Sequence, residues 1–276
     1  MRVRDLFLAN AFPPSDDLQS FSRPLVVRFF LIVLLSMSAL LSGCVTSSAR
    51  HAESRETLVF ASGVELAYSG TISFEANQRL FELAESLVEE PSALVITSNG
   101  GDIVAGMELG RWVFESGLDV RVPDYCMSSC ANYVFVAGAR KILAREASLM
   151  WHGGATQRFE ISCETVAWER SDGVCDEEKL RAIAMDSLAE FIAVETEFFE
   201  SIEVDQRITT LGQLRRFACA RGEGYTGWYY SIPDMAALGV DRISVIGGEW
   251  RPTIRSPDFK LCRVDLGSRR TLNPEP

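Results

Sequence analysis

Between Pro91 and a Gly-Gly turn lies Ala93 to Thr97, a short continuous apolar run without polar alternation. Such a run is the mark of a strand buried on both faces, and strands of that kind belong to parallel sheets covered by helices. The turn Ser98-Asn99-Gly100-Gly101 follows at once, and Ile103 to Ser116 reads as a helix with Ile103, Met107, Gly110 and Phe114 on one face. Strand, glycine turn and helix in immediate succession predict an α/β domain.

The flanking segments extend that pattern. Thr57 to Phe60 and Val64 to Ile72 read as strands, with Ser69-Gly70 as a bend. Ser73 to Glu90 reads as a helix capped by Ser73 and stopped by Pro91, with Leu80, Leu83, Ala84, Leu87 and Val88 at helical spacing. Leu118 to Val122 is a strand, Ser129 to Ala139 an apolar helix, and Lys141 to Ala144 and Ser148 to Trp151 are two further strands. A long helix is expected from Asp176 to about Glu203, extended chain from Arg221 to Ser231, helical turns from Pro233 to Leu238, and a closing strand from Asp241 to Ile246.

The N-terminus reads differently. Arg2, Arg4, Arg23 and Arg28 precede the apolar run Phe29 to Leu41, and Leu41-Ser42-Gly43-Cys44 follows. A basic flank, a hydrophobic stretch of about 7 to 15 residues and small residues at a cut form an export signal, and the run falls short of the roughly 20 residues of a membrane span. Leu-Ser-Gly-Cys resembles the bacterial lipobox, which implies acylation of Cys44 and anchoring on the periplasmic side of the cell envelope. Val45 in place of an aspartate favours the outer membrane. The expected organisation is a signal segment over 1–43, a lipidated N-terminus and tether over 44–56, an α/β domain over 57–250, and a tail over 251–276 tied by Cys262.

Loss of residues 1–43 removes four arginines and three aspartates and leaves a net charge of −12. A surface of that sign repels nucleic acid, which excludes nucleic-acid binding. The remaining cysteines are Cys126, Cys130, Cys163, Cys175, Cys219 and Cys262, an even count that reads as disulfides in an exported chain. Sequence cannot choose among about 15 connectivities; local spacing suggests Cys126 with Cys130, Cys163 with Cys175, and Cys219 with Cys262. A zinc site is the rival, but neither CxxC pairs nor neighbouring histidines accompany these cysteines, so no metal is expected.

Three features carry chemistry. The Ser98–Gly101 turn leaves amides free to face a ligand, as in an oxyanion hole, although Gly-Gly turns also occur as plain turns. Ser129 stands at the start of an apolar helix, where serine is an ordinary cap but where the positive helix end also favours a developing alkoxide. His152 is the single histidine outside the tether, since the other is His51, so a histidine base must be His152.

The order of these features resembles the proteolytic subunit of Clp protease and its crotonase-fold relatives over roughly Gly63 to Val245. In that family a buried strand ends in Ser-Pro-Gly-Gly, the nucleophile segment runs Ala-Ser-Met-Gly-Ala before apolar residues and Ala-Gly, and the histidine follows an apolar strand. Here Ser98-Asn99-Gly100-Gly101, Ser128-Ser129-Cys130-Ala131 through Ala137-Gly138, and Leu149-Met150-Trp151-His152 are similar. The resemblance implies stacked β-β-α units with a mainly parallel sheet, Ser129 as nucleophile, His152 as base, and an oxyanion hole among Gly100, Gly101 and Cys130. It implies a peptide or protein substrate, no cofactor, and self-association into a homo-oligomer.

The departures are as informative. The family's acid precedes a Phe-Leu-Ser-Ala segment; the corresponding stretch, Tyr225 to Ser231, carries Thr226 or Gly227 there, so Thr226, Glu223 and Asp205 are the candidates for a third triad member. Cys126 and Cys130 bracket the serine, and cysteine as nucleophile is a lesser alternative to their disulfide. With the export signal, the pattern resembles exported Clp-like proteins more than the cytosolic protease, which gives two readings: an ATP-independent periplasmic serine peptidase, or a catalytically silent binding or scaffold lipoprotein. Acyl-CoA chemistry ranks third because that cofactor is cytosolic.

Overall fold

In a computed structural model, described here for residues 56–157, 177–217, 219, 224–253 and 260–267, the chain folds around two rows of strands. The first row is a six-stranded sheet. β1 (Leu58–Ser62) and β2 (Glu65–Ser69) form an antiparallel hairpin, and β3 (Ala93–Thr97) lies parallel to β2 along its whole length. Ala93, Leu94 and Ile96 are fully buried, as the unbroken apolar run requires.

The helix α1 (Phe74–Ser86) begins as the sequence predicts, with the Ser73 hydroxyl accepting from the Ala76 amide at 3.2 Å. It ends four residues before the expected Glu90, at Leu87, whose backbone is extended; Val88 is fully exposed and adds nothing to the buried face. After β3 comes α2 (Ile103–Glu115), capped by Asp102 rather than by the glycine turn itself. Its buried face is made of Ala105, Gly106, Met107, Leu109, Gly110 and Val113, while Ile103 and Phe114 are 41% and 45% exposed. Of the expected face, Met107 and Gly110 are buried and Ile103 and Phe114 are not; the small residues Gly106 and Gly110 admit a neighbouring helix.

That neighbour is α3 (Cys130–Phe135), a π-wound helix in which every residue is buried. A Cβ on Gly110 would lie 2.3 Å from the carbonyl oxygen of Tyr133, so the two backbones approach as closely as glycine allows. π-Turns widen a helix locally and cluster at functional sites.

β4 (Asp119–Val122), β6 (Lys141–Ala144) and β9 (Ile243–Ile246) complete the first sheet in the order β1-β2-β3-β4-β6-β9, all parallel after the first hairpin. The mixed α/β fold with a mainly parallel sheet is thus the one read from the sequence.

The second row was not foreseen as a layer. β2, β3, β4 and β6 each run on into a short second segment, and these segments pair with each other. Ile72 bridges Gly101, Ser98 bridges Cys126, and β5 (Tyr125–Met127) pairs in parallel with β7 (Ser148–Met150). Trp151 then bridges Trp228 of β8 (Gly227–Tyr230), which pairs with β10 (Leu261–Val264). β10 lies in what reads as a tail, and Cys262 does tie it: a disulfide joins Cys262 to Cys219.

The long helix α4 (Glu177–Ser201) and the short α5 (Ile232–Ala237) match expectation to within two residues at each end. The export signal, Cys44, Cys163, Cys175 and Glu223 lie outside the described residues. Among the described residues no helix is long and apolar enough to cross a membrane.

Candidate active site

The second row positions the site. Parallel pairing of β5 with β7 sets Met127 opposite Met150, and the Ser128 amide donates to the Met150 carbonyl at 2.9 Å. Ser128 therefore leaves β5 where His152 leaves β7, with only Trp151 between His152 and its strand. Ser128 has φ +54°, a left-handed conformation that a non-glycine residue adopts only when its surroundings hold it. This sharp turn projects its hydroxyl out of the backbone, and Ser128 Oγ lies 2.7 Å from His152 Nε2.

The serine that the fold brings to His152 is therefore Ser128, one residue before the Ser129 expected from the sequence. Ser129 is 2% exposed, and its hydroxyl donates to the Gly101 carbonyl at 3.0 Å. A Cβ on Gly106 would come within 3.0 Å of the Ser129 Cβ, which places this side chain against the back of α2 and away from His152. Ser129 does not act as a side-chain cap either; its backbone is already helical. A signal for the right serine was present: in Ala-Ser-Met-Gly-Ala the serine stands three residues before the second alanine, and Ser128 stands three before Ala131.

The Ser98–Gly101 turn lies directly on the serine turn. At Gly100, with φ +96°, a Cβ would be 2.7 Å from the Ser128 Cβ and 2.9 Å from the Ser129 nitrogen, so only glycine fits. The Gly100 amide donates to the buried Ser98 hydroxyl at 3.0 Å, which engages it within the turn and removes it from the expected oxyanion donors. Gly101 faces the serine turn through its carbonyl, and in extended chain the amide of a residue points to the same side as its carbonyl. With Ser128 as the outward serine, the amide directly after it is that of Ser129, and Cys130 follows at the first turn of α3, where helix amides lack intrahelical acceptors.

Cys126 and Cys130 form a disulfide, as their spacing suggests, with a Cα separation of 5.2 Å, and both are fully buried. The bond spans the serine turn. It also removes Cys130 as a candidate nucleophile, since neither sulfur is a thiol. The second described disulfide, Cys219–Cys262, likewise follows the expected pairing.

His152 as a residue is exposed, yet partial desolvation of its ring lowers its pKa below the ordinary value, favouring the neutral imidazole. Ser128 is its one side-chain partner among the described residues. Of the candidates for a third member, the two that are described make their contacts elsewhere. Asp205 caps a short 3-10 turn and holds the Arg207 guanidinium in a bidentate pair. Burial pushes its carboxyl up, but the hydrogen bonds and charge of Arg207 outweigh this and hold it below the usual value. Thr226 Oγ1 accepts from the Lys260 amide at 3.0 Å, which ties β8 to β10. Glu223 lies outside the described residues. Among those described, no group of three or more His, Cys, Asp or Glu side chains is placed to hold a metal.

No protein-family profile and no curated protein matches the chain. Solved structures do. An enoyl-CoA hydratase from Thermoplasma volcanium GSS1 is 15% identical, with a TM-score of 0.28 over 36% of this chain and 52% of its own. A putative enoyl-CoA hydratase from Streptomyces coelicolor A3(2) is 16% identical, with a TM-score of 0.28 over 41% and 52%. A methylmalonyl CoA decarboxylase complexed with 2S-carboxypropyl CoA is 8% identical, with a TM-score of 0.28 over 53% and 80%. The chain spans about half the length of these hydratases. At TM-scores of 0.28 the likeness carries no argument.

Proposed function

We propose that this protein is a serine hydrolase of the cell envelope, acting on a peptide or protein without an ATPase, with Ser128 as nucleophile and His152 as general base. The observation that carries the reading is the 2.7 Å contact between Ser128 Oγ and His152 Nε2, made by a serine held at φ +54°. In the neutral ring Nε2 accepts the serine proton as Oγ attacks the acyl carbon, and the same proton passes to the leaving amine. The amides of Gly101 and Ser129, with Cys130 behind them, face the position where the oxyanion develops. Lipidation at Cys44 places the domain on the periplasmic side, and the disulfides Cys126–Cys130 and Cys219–Cys262 suit an oxidising compartment.

A fluorophosphonate probe, followed by peptide mapping, tests the catalytic reading: the adduct is expected on Ser128, and an absence of adduct at any concentration of probe refutes it. Radiolabelled palmitate tests the anchor, with incorporation expected to vanish in Cys44→Ala.

A second reading rests on a specific observation as well. His152 has no carboxylate partner among the described residues, and loss of the acid costs a serine hydrolase about 10⁴ in rate in the template case. A scaffold or binding lipoprotein that keeps the fold without the reaction is the alternative, and the same probe experiment separates the two.

A further inference from the structure

A buried carboxylate lies behind the site and no part of the proposed chemistry uses it. Glu195, on α4, is fully buried, and a carboxylate in that position is costly unless its lone pairs are satisfied. Three donors satisfy it: the Tyr133 hydroxyl at 2.7 Å, the Ala155 amide at 2.9 Å and the Gln206 side-chain amide at 2.7 Å. None of the three is a cation, so ion pairing does not account for its presence.

The donors join two parts of the site. Tyr133 belongs to α3, the helix that begins two residues after Ser128, whereas Ala155 lies three residues after His152. Beside this contact Asn132 donates to the Gly153 carbonyl at 2.8 Å. The segment that carries His152 is therefore held at residue 153 by one side chain of α3, and at residue 155 by a carboxylate that also holds the next side chain of α3. Gly154 lies flush against the clamp: a Cβ there would be 2.9 Å from Glu195 Oε1 and 2.5 Å from Thr209 Oγ1.

We propose that Glu195 is a positioning residue for His152, fixing the imidazole against Ser128 through the backbone of residues 153–155 instead of through a hydrogen bond to the ring. The inference rests on the serine-hydrolase reading. It accounts for how the ring is oriented when no carboxylate among the described residues touches it. A triad acid orients its histidine directly; here orientation is set one step away, in the loop, and the imidazolium formed during attack receives no counter-charge from this residue.

The test uses the full-length protein and the fluorophosphonate probe over a range of concentrations, which separates the half-saturating probe concentration from the limiting rate of labelling. Misplacement of a catalytic group by about 1 Å costs on the order of 10²-fold. Glu195→Gln, which cannot accept from all three donors, is expected to lower the limiting rate by about 10- to 100-fold and leave half-saturation unchanged. Tyr133→Phe removes one donor with no change in charge and is expected to lower the limiting rate in the same sense; it decides the matter if Glu195→Gln does not fold. A folded variant of either kind that labels within twofold of wild type overturns the inference while leaving the hydrolase reading intact. Wild-type labelling that survives Ser128→Ala overturns the reading itself.

Discussion

Ser128 Oγ lies 2.7 Å from His152 Nε2, and the adjacent Ser129 hydroxyl points instead at the Gly101 carbonyl. The two serines are chemically identical and one peptide bond apart, so their substitution should give opposite results. Ser128→Ala is expected to abolish probe labelling with little change in melting temperature, because alanine keeps the Cβ packed at Gly100 and gives up only the hydroxyl's contact with the exposed His152. Ser129→Ala is expected to retain labelling within a few-fold while losing about 1 kcal/mol of stability with its buried hydrogen bond. Urea melts and labelling kinetics on the same two proteins check both halves.

The pH dependence follows from the imidazole. Its pKa lies below the ordinary 6.5 because desolvation disfavours the cation. The reactive form is the neutral one, so labelling should be lost on acidification with a midpoint below pH 6.5 and should be flat from there to neutrality. The sign for stability is the same: the unfolded chain binds this proton more readily, so the contribution of His152 to folding is present above its unfolded pKa and is lost as pH falls through the folded value. A labelling-rate profile from pH 4.5 to 8 measures the midpoint; one above 6.5 contradicts the assignment.

The two described disulfides should separate stability from reactivity. Chain-entropy arithmetic assigns about 2 kcal/mol to a bond closing a loop as short as Cys126–Cys130 and about 4 kcal/mol to one as long as Cys219–Cys262. Cys219→Ser with Cys262→Ser is therefore expected to lower the melting temperature more. Cys126→Ser with Cys130→Ser should cost less stability but lower labelling more, because that bond spans the left-handed turn at Ser128. Equal effects of the two pairs on labelling would contradict a role for the short disulfide in holding that turn.

Gly100→Ala concentrates several costs at one position. The φ of +96° is strained for alanine, and the new Cβ meets the Ser128 Cβ at 2.7 Å. Overpacking of this kind costs about 1 to 3 kcal/mol, and here the atom that must yield carries the nucleophile. The expected outcome is a folded protein with a melting temperature lowered by several degrees and labelling reduced at least 10-fold; wild-type labelling would show that the turn does not set the serine.

Much of this was legible in the sequence, and the rest was hidden for identifiable reasons. The apolar run Ala93 to Thr97 and the capping residue Ser73 act locally, so their strand and helix could be read directly. The face of α2 was legible only in part, through Met107 and Gly110; Ile103 and Phe114 fall off it because the close approach of α3 at Gly106 and Gly110 chooses the side. Of the second row, β7 was read as a strand at Ser148 to Trp151, but β5, with three residues, was not, and the layer exists only through their pairing. The same pairing decides between Ser128 and Ser129. Glu195 carries no local signal at all: it is one of several acidic residues on a long helix, and only the fold brings it behind His152.

The register of β5 against β7 also constrains how this gene can change in length. From Ser128 to His152 the chain passes through α3, β6 of the first sheet and β7 of the second row, and the two side chains meet because β7 is held in register with β5. Slipping a strand by one residue turns every side chain to the opposite face. An insertion or deletion between β6 and β7, at Arg145 to Ala147, would therefore bring Trp151 or Gly153 to the place of the base. Among descendants that keep the reaction, the distance of 24 positions between serine and histidine should outlast most of the residues that now fill it.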